Sequence, residues 1–173
     1  MPVHPLTVSI IVGAPREQVF DYLSDIANHP EFTDHFLVDW HLTRIDSVGL
    51  GAGARFRIKA PRNRFSWGDV TFVEVQPPHR IVEAGRTGKN NRIRTLGTYE
   101  LAPASPGATR VRFTLETMPV TLSDRLLEGL GGRGWCKRKN VKAMRRLRSI
   151  IESDEGRGTY AEDAARRVTV AGG

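Results

Sequence analysis

The two ends of this chain differ from its middle in a way that restricts the possible folds. Residues 7–12 form a β-branched apolar run, and apolar residues at helical spacing follow in 15–27. From 38 to 115 apolar and polar residues alternate with a period of two, which indicates an antiparallel sheet with one wet face. An amphipathic segment at 135–152 closes the pattern. This order predicts an α+β fold: a curved antiparallel sheet of about six to seven strands wraps around a long C-terminal helix, with two short helices after strand 1.

The length and the change in composition near the end predict one domain followed by a tail. A chain of 173 residues fits a single domain and buries about 70% of its unfolded surface, enough for a core plus a cavity. Residues 1–152 are predicted to be one ligand-binding domain. Residues 153–173 are small, polar and punctuated by glycine, and we expect them to be a flexible tail.

Cysteine usage and hydropathy bear on the cellular location. Cys136 is the single cysteine, so no intrachain disulfide can form and secretion has no support. The N-terminus has no basic region followed by an apolar run, and no stretch approaches 18 apolar residues. We therefore expect a cytoplasmic protein without a transmembrane segment.

Positive charge is concentrated near the C-terminus. The net charge is +7, and residues 133–148 alone carry eight basic side chains and no acid. Such a cluster can attract nucleic acid or an anionic membrane surface, although a solvated helix face is the better explanation. Aromatic residues for base stacking are not interleaved with the basic ones, which disfavours the nucleic-acid interpretation.

Two motifs resemble a cofactor site and a metal site, but the surrounding sequence does not fit either kind of site. Residues 129–134 match G-x-G-x-x-G, but no strand precedes them and no βαβ unit follows, so a helix kink or hinge is the better interpretation. His29, His35 and His41 are six residues apart, which is not a metal-ligand spacing on one helix or strand. We expect no cofactor and no metal. Cys136 lies on the apolar helix stripe and is interpreted as a packed residue.

The concave face of the sheet and the apolar face of the helix should enclose a ligand cavity. Its predicted apolar lining residues are Trp40, Leu42, Phe56, Ile58, Tyr99, Phe113, Met144 and Leu147. Asn140 interrupts the apolar helix face, so its amide either orients a ligand or bonds a backbone carbonyl or a buried water.

Polar side chains in the predicted strands are candidates for chemistry. Asp69, Glu83 and Tyr99 belong to strands of the cavity wall. If Asp69 faces inward, its carboxyl is a candidate general base, but the opposite register turns Val70 and Phe72 inward and leaves Asp69 in water. Alternation alone does not decide the register. No catalytic residue is assigned, and Asp69 and Tyr99 remain weak candidates.

Several short motifs together resemble a known superfamily. They are APxxxVFxYL at 14–23, DxxxHPEF at 25–32, GxGARF at 51–56, VxPPxRIV at 75–82, and YxLxP at 99–103 with GxTRV at 107–111. With the long last helix they resemble the START-like (SRPBCC) helix-grip superfamily, in particular its polyketide cyclase/dehydrase-like branch. The resemblance spans roughly residues 7–152. The glycine-rich kink, the basic last helix and the tail depart from the pattern.

The resemblance implies binding of a small hydrophobic molecule, such as a lipid or a polyketide, between the sheet and the C-terminal helix. An alternative is a polyketide cyclase, aromatase or dehydratase that uses the same cavity. A second alternative is an RNA or anionic-lipid interaction module that uses the basic helix. The superfamily shares no fixed catalytic set to transfer, and ligand identity and oligomeric state stay open.

Overall fold

The computed structural model describes residues 4–61, 67–118 and 132–153. Within them, strand β1 (Leu6–Val12) leads into helix α1 (Arg16–Ser24), a 3-10 turn (Ile26–Asn28) and helix α2 (His29–Thr33). Six further strands follow, with a second 3-10 turn (Lys89–Asn91) before the fifth of them: β2 (Leu37–Leu42), β3 (Gly53–Ile58), β4 (Trp67–Gln76), β5 (Arg80–Thr87), β6 (Ile93–Ser105) and β7 (Ala108–Met118). Helix α3 (Arg133–Glu152) comes last.

The seven strands form a single antiparallel sheet in the order β1-β7-β6-β5-β4-β3-β2. β1 therefore pairs with the last strand, and the remaining strands follow one another as a meander. Helix α3 packs against β1, and α2 packs against α3 and β2. The predicted α+β helix-grip arrangement, with seven strands and two short helices after the first, is confirmed.

The short helices form because their apolar residues share one face and their ends are satisfied locally. Pro15 precedes α1 with φ −58°, already close to the value that proline prefers. Val19 and Leu23 are fully buried one turn apart. The carboxylate of Asp25 accepts a hydrogen bond from the amide of Ala27 at 3.1 Å and so caps the 3-10 turn. This region becomes a rigid cover for one side of the sheet.

Helix α3 is held at both its face and its end. Ala143, Met144, Leu147 and Ile151 are buried at helical spacing, while most of the basic side chains are exposed. At the C-terminus of the helix, the Glu152 carboxylate accepts a hydrogen bond from the Gly13 amide at 2.6 Å. The last helix is thereby fixed to the loop after the first strand.

Two predictions fall on residues outside the described ranges. The proposed hinge at 129–134 lies mostly there, as does nearly all of the predicted tail at 153–173. Among the helices of the described segments, none is long and apolar enough to span a membrane.

Candidate functional site

A cavity of about 220 Å³ lies between the concave face of the sheet and helices α2 and α3. Its wall comes from every strand except β1, and from both helices. Seven aromatic side chains contribute to the lining: Phe32, Phe36, Trp40, Phe56, Tyr99, Phe113 and Trp135. Several of these rings are in contact, with centroid distances of 4.6 Å for Tyr99–Phe113 and 4.8 Å for Trp40–Phe56.

Seven of the nine residues predicted to contact a ligand line this cavity. They are Trp40, Phe56, Ile58, Tyr99, Phe113, Asn140 and Met144. Their role in binding stays a prediction, but their common location follows from strand and helix periodicity as expected.

Leu42 and Leu147 lie elsewhere, which corrects the sequence-based assignment. The register of β2 shifts between Val38 and His41, and Asp39 adopts φ +54° within this bulge. The bulge turns Trp40 inward onto Phe56, whereas Leu42 ends on the edge strand with 49% of its surface exposed. Leu147 is fully buried and packs in the core beyond the cavity. Neither side chain borders the cavity.

The structure also shows which residues of β4 face inward, and the candidate base Asp69 is not one of them. Val70 and Phe72 are buried on the inner face, while Trp67 is 39% exposed. Asp69 is among the residues that border the cavity, but its carboxylate accepts a hydrogen bond from the Arg86 amide at 3.1 Å across the strand pair. Asp69 is therefore not the carboxyl inside the apolar space, and the general-base prediction for it is corrected.

The carboxyl inside that space belongs to Glu83. It follows Ile81 by two residues on β5, so both side chains point to the inner face, and Glu83 borders the cavity. Burial raises the pKa of Glu83 to about 7. Gly97 lies opposite on β6, and a Cβ there would come within 2.5 Å of the Glu83 Oε1 atom. A glycine is thus needed to make room for the carboxyl. An isolated acid at an inward strand position was the sequence signal for this site.

Tyr99 and His29 complete the polar part of the deep cavity. Burial, and then the neighbouring Glu83, raise the pKa of the Tyr99 phenol well above its usual value. The His29 Nε2 atom lies 2.9 Å from the carbonyl oxygen of Leu23, which can only accept, so Nε2 carries the proton. Burial lowers the pKa of His29 to about 4, which keeps the ring neutral and leaves Nδ1 as an acceptor. From the sequence, His29 stood out only within the DxxxHPEF motif at 25–32 and as a residue without a metal-ligand spacing.

Asn140 bonds its own helix. Its Nδ2 atom donates to the carbonyl oxygen of Cys136 at 3.0 Å, one turn earlier. This bond leaves the Oδ1 atom as an acceptor at the cavity wall.

Polar contacts close the cavity between α2 and α3. Arg146 forms an ion pair with Asp34 and donates to the Glu31 carbonyl oxygen at 3.0 Å. The His35 Nε2 atom donates to the Lys139 carbonyl oxygen at 3.0 Å. Other basic residues of α3 form an exposed stripe on the side away from the sheet: Arg133, Lys137, Arg138, Lys142, Arg145 and Arg148. In the described ranges, no cluster of three His, Cys, Asp or Glu residues is placed to hold a metal ion.

Comparisons with known proteins agree with this architecture. A family model described as polyketide cyclase / dehydrase and lipid transport matches residues 4–152. The solution structure of the KanY protein superposes with a TM-score of 0.70 at 15% identity, covering 88% of this chain and 100% of KanY. Norcoclaurine synthase from Thalictrum flavum gives 0.61 at 14% identity, with 88% and 89% of the two chains covered. A protein from Thermus thermophilus gives 0.62 at 14% identity, with 84% and 94% covered. At these identities the likeness shows a shared fold. No curated protein sequence matches the chain.

Proposed function

Because this chain belongs to the polyketide cyclase/dehydrase and lipid transport family, we propose that it binds a small hydrophobic molecule in the cavity between the sheet and α3. The observation that carries the proposal is the cavity itself, which is lined by seven aromatic side chains and presents a mainly apolar surface. Rings of this kind remove apolar ligand surface from water, which contributes roughly 25 cal/mol per Å² before entropic costs.

The volume restricts the ligand to a compact one. A dry protein cavity of about 150 Å³ is known to hold benzene, whereas typical ligand pockets span roughly 300–1,000 Å³. At about 220 Å³, this cavity fits a molecule of one or two rings better than a long acyl chain or a four-ring skeleton.

Cyclase or dehydrase chemistry in the same cavity is the second candidate function. The observation that favours it is Glu83 beside Tyr99, because a carboxyl that titrates near neutrality can exchange protons with a bound substrate. This candidate requires turnover, whereas the first requires only reversible binding. Docking of the exposed basic stripe of α3 on RNA or anionic lipid stays a third alternative, supported by charge alone.

Filling the cavity from the helix side should abolish binding. In Ala143→Leu three added carbons enter the space that Ala143 now borders, and we expect propylbenzene to bind at least about tenfold more weakly. Isothermal titration calorimetry measures this change. The matched control is Ala102→Leu, because Ala102 is exposed on the outer face of β6 and the same substitution there should leave the affinity unchanged. Equal propylbenzene affinity in wild type and Ala143→Leu would exclude this cavity as the binding site.

A further inference from the structure

Glu83 is a buried acid for which the protein provides space but no partner. In the described ranges it accepts and donates no hydrogen bond, and no basic side chain lies within ion-pair distance. An uncompensated polar group away from water costs roughly 1–3 kcal/mol. Gly97 nevertheless leaves space for the carboxyl, although glycine is poorly suited to the interior of a strand. A ligand that pairs with the carboxyl would remove this cost.

Two other polar side chains of the cavity, His29 and Asn140, offer acceptor atoms, while the protonated Tyr99 hydroxyl can both donate and accept. With Nε2 donating to Leu23, the neutral His29 ring offers only the Nδ1 lone pair. Asn140 uses an Nδ2 hydrogen on Cys136, so its Oδ1 atom is the free hydrogen-bonding group toward the wall. Acceptors together with an acid are complementary to a ligand that carries N–H or O–H donors.

The aromatic wall selects among such donors. Trp40, Phe56, Tyr99 and Phe113 share the cavity with Glu83. Ring faces attract cations within about 6 Å of their centroids, most strongly where water is excluded. An ammonium group therefore gains from the rings and from the carboxylate at once, whereas a neutral hydroxyl gains only hydrogen bonds.

We propose that the cavity is selective for compact ligands that carry a protonated amine, with the ammonium group paired to Glu83 and the apolar body held by the aromatic wall. The inference rests on the proposed binding function and adds the chemical class of the ligand. Ligands with a carboxylate or phosphate are disfavoured because Glu83 would repel them.

The pH dependence of binding follows from the groups that face this site. Besides Glu83, the titratable and charged residues of the wall are His29, Tyr99, Cys136, Asp69 and Arg86. His29 stays neutral above pH 5 and Tyr99 stays neutral below pH 10, so Glu83 is the group that changes charge near pH 7. Ammonium binding needs the ionised carboxylate and should strengthen on the order of 100-fold from pH 5 to pH 8.

Three probes of similar size test the inference by titration calorimetry at pH 5 and pH 8: 2-phenylethylamine, 2-phenylethanol and propylbenzene. At pH 8 the amine should bind at least tenfold more tightly than both neutral probes, and only the amine should gain affinity with pH. In Glu83→Gln the advantage of the amine over propylbenzene and its pH dependence should disappear.

Glu116→Gln is the matched control, because this carboxylate lies on the outer face of β7. An amine that binds no better than propylbenzene at pH 8 would overturn the inference and leave the proposed function standing. If 2-phenylethanol binds more tightly than 2-phenylethylamine, the cavity is selective for a hydroxyl and not for an ammonium group, which would also overturn the inference. Failure of all three probes to bind would contradict the proposed function itself. The wild-type pH profile decides the matter even if Glu83→Gln does not fold.

Discussion

Glu83→Gln should gain up to about 3 kcal/mol of unfolding free energy relative to wild type between pH 4.5 and pH 8. Burial raises the pKa of Glu83 from 4.5 to about 7, so the folded state holds a proton that the unfolded state has lost. The contribution of Glu83 to wild-type stability consequently falls as the pH rises through this interval. Glutamine does not titrate and loses none. Chemical denaturation of both proteins across this pH range measures the difference.

His29 acts in the opposite direction. Burial lowers its pKa from 6.5 to about 4, so the unfolded state binds a proton first and stability falls as the pH drops through that interval. In the wild type the two effects nearly cancel between pH 4.5 and 6.5. In Glu83→Gln only the His29 effect remains, so the free energy of unfolding of this variant should rise with pH in this window. Glu116→Gln, on the outer face, should follow the wild-type curve within about 0.5 kcal/mol. A constant difference between Glu83→Gln and wild type would mean that water solvates the carboxyl.

Leu147→Ala should lower the free energy of unfolding by about 2–5 kcal/mol, the range for deleting a large buried aliphatic side chain. Leu147 has no exposed surface and packs between α3 and the sheet, beyond the cavity. The substitution leaves a hole in the core and removes no wall of the cavity. Propylbenzene affinity of the folded variant should therefore stay close to the wild-type value.

Leu42→Ala is the matched control for this change. Leu42 is about half exposed on the edge strand, so its truncation should cost less than about 0.5 kcal/mol by urea denaturation. A large loss at Leu42, or a small one at Leu147, would contradict the division between core and surface described above.

The architecture was predictable because it depends on periodicity and order. Alternation in 38–115 specified strands with one buried face, and the helical spacing in 135–152 specified which side of α3 would face the sheet. Local choices agree with this plan: Pro15 precedes α1, and Asp25 caps the next turn. Each is a short-range effect that the sequence expresses directly.

The prediction of which individual residues face the cavity depended on how the strands pair, and strand pairing cannot be read from the sequence. A bulge at Asp39, with positive φ, shifts the register so that Trp40 contacts Phe56, whereas Leu42 pairs with Ala54 at the end of the edge strand and stays about half exposed. The choice between Asp69 and Val70 as inward residues depended on the register between β4 and β5. The importance of Glu83 became visible only with Gly97 opposite it, a cross-strand relation between residues 14 positions apart.

Methyl NMR of the methionines tests most directly whether a hydrophobic molecule enters the cavity. The chain has three methionines, of which Met144 lines the cavity and is buried, while Met118 is 37% exposed at the end of β7. With ¹³C-methyl-labelled protein and increasing propylbenzene, the Met144 signal should shift and saturate while the Met118 signal stays in place. A Met144 signal that does not respond, or one that moves no further than that of Met118, would contradict the account.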